Sequence, residues 1–227
     1  MELYSTICPK CSGKESWKTT DNRLKCKKCR YLFTPRANPL NIPNEILKKI
    51  ISEFVLEHSI KIISERVDVS RYKLLKTLTL LRRLMSSIGE KDQREYTLIR
   101  QPIIGITCQE GEFFAQIIPN ITINDLKSLF KKNFIPESLQ KYSGIVFKGS
   151  LYKLSRANEK AYRINSLERF WGYLKRKLSA KGGVRKEKLP FYLGEYSWRY
   201  NQRKLTLRDQ EKYLLSLVFQ SFKAYNK

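Results

Sequence analysis

The sequence predicts an α+β protein built from three modules. Two Cys-x-x-Cys pairs lie near the N-terminus, apolar residues then recur at helical spacing, and short β-branched runs alternate with helical patterns after residue 94. We place the modules at residues 1–38, 41–89 and 94–227. Pro35, Pro39 and Pro43 separate the first module from the second, because each interrupts regular structure.

The whole chain is strongly basic. Its 227 residues include 45 Lys and Arg against 21 Asp and Glu, a formal charge of +24. Both halves share this excess, since residues 1–89 hold 18 basic and 8 acidic residues and the remainder holds 27 and 13. Such a charge is typical of proteins that bind nucleic acid, and a solvated basic surface without a specific partner is the alternative.

The sequence contains no apolar stretch of about 18 residues and no signal-peptide pattern at its N-terminus. We therefore expect an intracellular protein with no membrane partner, associated with DNA in the cytoplasm or nucleoid, or in a nucleus. An intracellular location also favours reduced cysteines over disulfides.

The first module carries four cysteines in two pairs, Cys8 with Cys11 and Cys26 with Cys29, and 14 residues lie between the pairs. This spacing predicts a zinc ribbon, in which two turns direct four sulfurs at one Zn²⁺ ion. The role of the zinc is structural, because four thiolates leave no open position for water. Redox chemistry and an iron site are the alternatives.

The second module predicts three helices. A helix-turn-helix is indicated from Ser59 to Lys73, with a tight turn at residues 67–70 and Ser70 as the cap of the longer second helix. With its leucines facing inward, this recognition helix would direct five residues at DNA: Arg71, Tyr72, Lys73, Lys76 and Thr77. A plain three-helix bundle shows the same apolar pattern and is the alternative.

The third module mixes strands and helices. Adjacent strands are predicted at residues 96–99, 103–108 and 113–118, and another buried strand at residues 144–147. Helices are predicted at residues 122–133 and 165–178, at about 186–200 and at about 207–225. Cys108 lies in one of the apolar strands and is predicted to be a core residue.

Two segments of this module are distinctive. Asn165-x-x-Glu168-x-Phe170-Trp171 runs into Leu-Lys-Arg, and an Arg199-Tyr200-Asn201-x-Arg203 motif follows. With the preceding modules, these segments resemble the Merlin and ISXO-type insertion-sequence transposases over nearly the whole chain. The resemblance implies an RNase H-like α/β domain in which carboxylates from two strands and a late helix bind two Mg²⁺ or Mn²⁺ ions. It also implies a homodimer or a larger synaptic complex, because transposase-like proteins often work in such assemblies.

In this resemblance Glu168 matches the helix acid, and Lys175, two turns later, is placed to contact phosphate. The strand acids are missing. Lys148 stands where an Asp is expected, and Asp92 and Glu95 precede the first predicted strand instead of following it. One carboxylate binds two divalent cations poorly, so Glu168 is equally interpretable as a surface residue paired with Arg169 or Lys175.

We therefore predict a sequence-directed duplex DNA-binding protein derived from a DDE transposase, with a regulatory or architectural role and no efficient strand cleavage. Arg199 and Arg203 are predicted as further phosphate contacts. One alternative is an active transposase that uses Asp92 or Glu95 together with Glu159, and requires Mg²⁺ or Mn²⁺. The other is an RNA-binding zinc-ribbon protein.

Overall fold

The computed structural model describes residues 8, 10–11, 13–21, 23–34, 40–87, 102–118, 121, 135, 139–154 and 161–225. The strands are β1 (Ser16–Lys18), β2 (Leu24–Cys26), β3 (Leu32–Phe33), β4 (Ile104–Gln109), β5 (Glu112–Ile117), β6 (Gly144–Phe147) and β7 (Ser150–Lys153). The helices are α1 (Asn44–Val55), α2 (Ile60–Arg66), α3 (Arg71–Ser87), α4 (Ala161–Ser179), α5 (Leu189–Asn201) and α6 (Leu207–Tyr225). Within the described residues, six helices and two antiparallel sheets confirm the α+β class.

The chain forms two compact units, one made of Met1–Leu81 with Leu205–Lys227 and the other of Arg82–Lys204. The three predicted module boundaries stay a prediction. The structure adds that α6, which the sequence assigns to the third module, contacts α1 within the first unit. Among the helices that the structure describes, none is long and apolar enough to cross a membrane.

The first unit contains a small sheet and several helices. Strands β1, β2 and β3 form an antiparallel sheet in that order. Helix α1 buries Leu47, Ile50 and Ile51 because these residues recur at helical spacing on one face. The Ser59 hydroxyl caps α2 by accepting a hydrogen bond from the Ile62 backbone N–H at 3.3 Å.

The second unit is built on the sheet β5-β4-β6-β7. Two-residue turns at Glu110-Gly111 and Lys148-Gly149, all with positive φ, join its hairpins. Every pairing described here is antiparallel, whereas an α/β domain would contain parallel strands. The two tight turns account for the β4–β5 and β6–β7 pairings, because a two-residue connection permits only antiparallel neighbours.

Strand β4 is paired on both sides, with β5 and with β6. The sequence also predicts a further strand before β4. That strand, at residues 96–99, and the helix predicted at residues 122–133 lie outside the described residues.

One face of this sheet is covered by α4 and α5. Phe170 of α4 stacks on Phe113 of β5 with ring centroids 5.3 Å apart, and Tyr200 of α5 meets Phe170 edge-on at 5.0 Å. On another part of the sheet, Gly105 allows close packing, since a Cβ there would lie 2.3 Å from the ring of Tyr142. Large apolar side chains thus fill the space beside the sheet.

Helix α5 also covers part of the backbone of β5, which lies at one edge of the described sheet. Asn201 accepts a hydrogen bond from the Phe113 N–H at 2.9 Å and donates one to the Phe113 carbonyl at 3.0 Å. The Ser197 hydroxyl accepts from the Ala115 N–H at 3.0 Å. Side chains of a helix therefore satisfy backbone groups that a neighbouring strand would otherwise bind.

Candidate metal centre and nucleic-acid interface

The four predicted zinc ligands lie together. The sulfurs of Cys8, Cys11, Cys26 and Cys29 are all within 4.8 Å of one another. Cys8 Sγ lies 3.5 Å from Cys29 Sγ, and Cys11 Sγ lies 3.5 Å from Cys26 Sγ. Tetrahedral zinc with Zn–S bonds of about 2.3 Å needs sulfurs roughly 3.8 Å apart. The cluster is close enough to hold one metal ion and is consistent with zinc.

Gly13 keeps space beside this cluster. A Cβ at this position would lie 3.2 Å from Cys26 Sγ and 3.3 Å from Cys11 Sγ. The Gly13 carbonyl accepts a hydrogen bond from the Cys8 N–H at 2.9 Å, which fixes the first cysteine turn. Glycine therefore suits this position, because a side chain here would crowd two of the sulfurs.

The core around the cysteines is very small. In the described part of this segment, Cys8, Cys26 and Phe33 are the buried members, and Leu24 packs against them. So little apolar surface does not offset the entropy lost when the segment orders. A bound zinc ion would supply the missing stabilisation, and with four thiolate ligands it would have no position open for chemistry.

The thiols differ in acidity because of their surroundings. The backbone N–H of Cys29 lowers the pKa of the Cys26 thiol to about 7. A hydrogen bond with the Cys29 thiol raises the pKa of Cys11 to about 12. Zinc binds thiolates, so binding of a zinc ion would release the protons from those cysteines that are thiols in the metal-free protein, such as Cys11.

The outward face of α3 agrees in part with the predicted recognition surface. Arg71, Tyr72 and Lys76 are exposed, and Tyr72 is 75% exposed. Lys73 is half-buried, and its ammonium donates a hydrogen bond to the Asn41 carbonyl at 3.0 Å. Leu75, which the sequence pattern groups with the inward leucines, is exposed beside them.

The prediction for Thr77 is wrong. Thr77 is fully buried, and its hydroxyl donates to the Lys73 carbonyl at 2.8 Å. It follows Leu74 by three residues and precedes Leu81 by four, so it shares their inward face. Thr77 therefore does not contact DNA in this conformation.

The prediction for Arg199 is also wrong, because Arg199 is only 6% exposed. Its Nε donates to Glu195 Oε1 at 3.0 Å, and Arg82 Nε donates to Glu195 Oε2 at 2.7 Å. Burial raises the pKa of Glu195, but the two guanidinium groups outweigh it and hold the pKa below its ordinary value. Glu195, which sequence reasoning overlooked, was signalled by its four-residue spacing from Arg199.

Arg203 is exposed, and it differs from Arg199 in its contacts. Its guanidinium lies 3.9 Å from the centroid of the Tyr200 ring and donates a hydrogen bond to the Tyr200 carbonyl. Arg203 and Arg169 also line a cavity of about 150 Å³, together with Ser166. The phosphate contact predicted for Arg203 stays a prediction.

Glu168 lies on the exposed side of α4 and forms an ion pair with Lys153 of β7. The surface interpretation placed its partner on the same helix, at Arg169 or Lys175, whereas the observed partner belongs to a strand. Lys175 is exposed. Lys148, where the resemblance expects an acid, occupies the first position of the β6–β7 turn with φ of 49°.

Within the described residues, the cysteines form the only group of three or more metal-ligating side chains close enough to share an ion. Asp92, Glu95 and Glu159, the acids of the transposase alternative, lie outside the described residues. No carboxylate cluster that would bind Mg²⁺ or Mn²⁺ is therefore described. Comparison with known proteins found no matching family model, curated protein or solved structure, so the transposase resemblance stays a prediction.

Proposed function

We propose that this protein binds duplex DNA through the first half of α3, with zinc holding the cysteine-rich segment, and that it does not cleave the strands. One observation carries the proposal: Arg71, Tyr72 and Lys76 are exposed at the start of a helix that follows a shorter helix and a tight turn. This arrangement is typical of a helix-turn-helix, whose second helix enters the major groove.

The chemistry of this surface suits a duplex. Arg71 and Lys76 carry positive charge for phosphates or for guanine edges, and the +24 charge of the chain favours association with a polyanion. Tyr72 and Leu75 add exposed apolar area between the cations. In the major groove, apolar side chains contact the thymine methyl group, which gives this face a means to select sequence.

Catalysis is the less favoured reading of the second unit. Glu168 is engaged by Lys153, and a two-metal mechanism requires several carboxylates around the ions. Descent from a DDE transposase, with an RNase H-like body, is proposed on the sequence motifs alone, and the antiparallel sheet gives it no support. On this proposal the protein acts by occupying its site, as a regulator or an architectural protein.

A matched pair of double variants tests the DNA-binding surface. We expect Arg71→Ala with Lys76→Ala to weaken duplex binding more than Lys181→Ala with Lys186→Ala, since each pair removes two exposed charges. If both residues contact phosphates, the salt dependence of binding falls by a slope of about 1.8. The measurement is fluorescence anisotropy at several salt concentrations, and equal losses would contradict the assignment of α3.

Strand cleavage is tested separately. The zinc-loaded wild type and the Glu168→Gln variant are each incubated with duplex DNA in Mg²⁺ or Mn²⁺. We expect no nicking that depends on the Glu168 carboxylate. Metal-dependent nicking that is lost in this variant would restore the active transposase.

A further inference from the structure

The three-stranded sheet of the first unit has an exposed row of side chains that its metal cluster does not use. Trp17 pairs with Lys25 across β1 and β2, and Lys25 pairs with Leu32 across β2 and β3. All three residues are exposed, Trp17 by 42%. Their neighbours Cys26 and Phe33 are buried, so the row lies on the opposite face of the sheet from the cysteine cluster.

Cations accompany the exposed aromatic rings. The Arg30 guanidinium lies 4.5 Å from the Trp17 ring centroid, and the Lys10 ammonium lies 5.9 Å from that of Tyr31. Tyr31 is itself 44% exposed. Tryptophan is mostly buried in folded proteins, and clustered exposed apolar groups mark interaction surfaces. This face is therefore suited to a partner that offers both flat apolar groups and negative charge.

The charge of the cysteine-rich segment also favours a partner that carries negative charge. Residues 8–34 contain eight basic and two acidic residues. Both acids are already engaged, since Glu15 pairs with Lys27 at 3.1 Å and Asp21 pairs with Arg23 at 2.5 Å. The remaining positive charge favours an anionic polymer over an apolar protein surface.

We propose that this face binds single-stranded DNA, with an unpaired base stacked on Trp17 and the backbone phosphates beside Lys25 and Arg30. In a duplex the faces of the bases are covered by their neighbours, so an exposed ring finds a stacking partner only where a strand is unpaired. Tyr31 offers a second ring for another base. This interaction differs from duplex binding by α3, and either can fail without the other.

The test compares a labelled single strand of about 12 nucleotides with the corresponding duplex. We expect Trp17→Ala to weaken single-strand binding roughly tenfold, Trp17→Phe to weaken it much less, and both to leave duplex affinity unchanged. Tyr213→Ala removes an exposed aromatic of α6 and serves as the matched control. Zinc content is measured for each variant to confirm that the cysteine segment is intact.

Three results would overturn the proposal: unchanged single-strand affinity in Trp17→Ala, equal losses on both nucleic acids, or a clear preference for RNA of the same sequence. If Trp17→Ala loses zinc, the proposal is tested on the wild-type protein by fluorescence quenching. Of the three tryptophans, Trp17 is exposed, Trp171 is half-buried and Trp198 is buried, so a single strand bound on Trp17 must reduce acrylamide quenching of tryptophan fluorescence. Lys25→Gln must then reduce the single-strand affinity and its salt dependence, and absence of either effect rejects the surface.

Discussion

Replacing Glu195 by Gln removes the negative charge that two buried arginines share. The carboxylate accepts hydrogen bonds from Arg82 at 2.7 Å and from Arg199 at 3.0 Å, and all three side chains are largely buried. Glutamine preserves the size of the side chain, but its one oxygen cannot replace both carboxylate oxygens. Its NH₂ group would face a guanidinium group, which can only donate.

The expected loss is large. Each charge-assisted hydrogen bond contributes about 1.5–3 kcal/mol, and removing one member of a buried ion pair costs about 3–5 kcal/mol. Domains are stable by only about 5–15 kcal/mol, so Glu195→Gln is expected to remove a substantial part of the stability of the second unit. Because the fold lowers the pKa of Glu195, the contribution of its carboxylate to stability is fully present when the pH is above 4.5, the ordinary pKa of this group.

Urea unfolding at neutral pH measures this loss, and unfolding in acid checks its origin. As the pH falls through the lowered pKa, the wild type loses the same charge and the difference from Glu195→Gln must shrink. Glu15→Gln is the control, because Glu15 forms an exposed pair with Lys27 and such pairs contribute little. Similar unfolding midpoints for the two variants would refute the argument.

Three further predictions concern the cysteine segment and two local contacts. Zinc chelation should abolish the amide-exchange protection of residues 8–34 and leave the second unit protected. Gly13→Ala should reduce that protection to a lesser degree. Protection of residues 8–34 that survives chelation would contradict a metal-dependent fold. A hydrogen bond from His58 lowers the pKa of Glu53. Glu53→Gln should therefore destabilise the protein at neutral pH, but not at a pH below the lowered pKa, where the wild-type carboxyl is also uncharged. Thermal unfolding at several pH values measures the difference. Lys148→Asn should stabilise the β6–β7 turn by about 1 kcal/mol, because Asn tolerates positive φ, and a lower unfolding midpoint would argue against this.

The sequence predicted the features that depend on local spacing. The interval between the two cysteine pairs specified one cluster, and the spacing of leucines placed α3 close to its observed bounds. It also predicted a helix near residues 186–200, where the structure has a short turn followed by α5, with Pro190 in the first turn of that helix.

Two of the failures concern residues whose ion pairs involve side chains far away in the sequence. Arg199 is indistinguishable from a surface arginine until Arg82, far earlier in the chain, is brought to the same carboxylate. Glu168 likewise meets Lys153 of a strand, a pairing that helical spacing cannot reveal. The prediction for Thr77 was wrong for a local reason, because the spacing of Thr77 from Leu74 and Leu81 already placed it on the inward face of the helix.

Hydrogen bonding of α5 to β5 protects the sheet against association with other chains. An uncovered outer strand is a template for strand addition and therefore for aggregation. Asn201 occupies both backbone groups of Phe113, so that stretch of the strand cannot recruit another strand without displacing α5. Loss of the Asn201 side chain would therefore expose these backbone groups and favour association of chains through this edge.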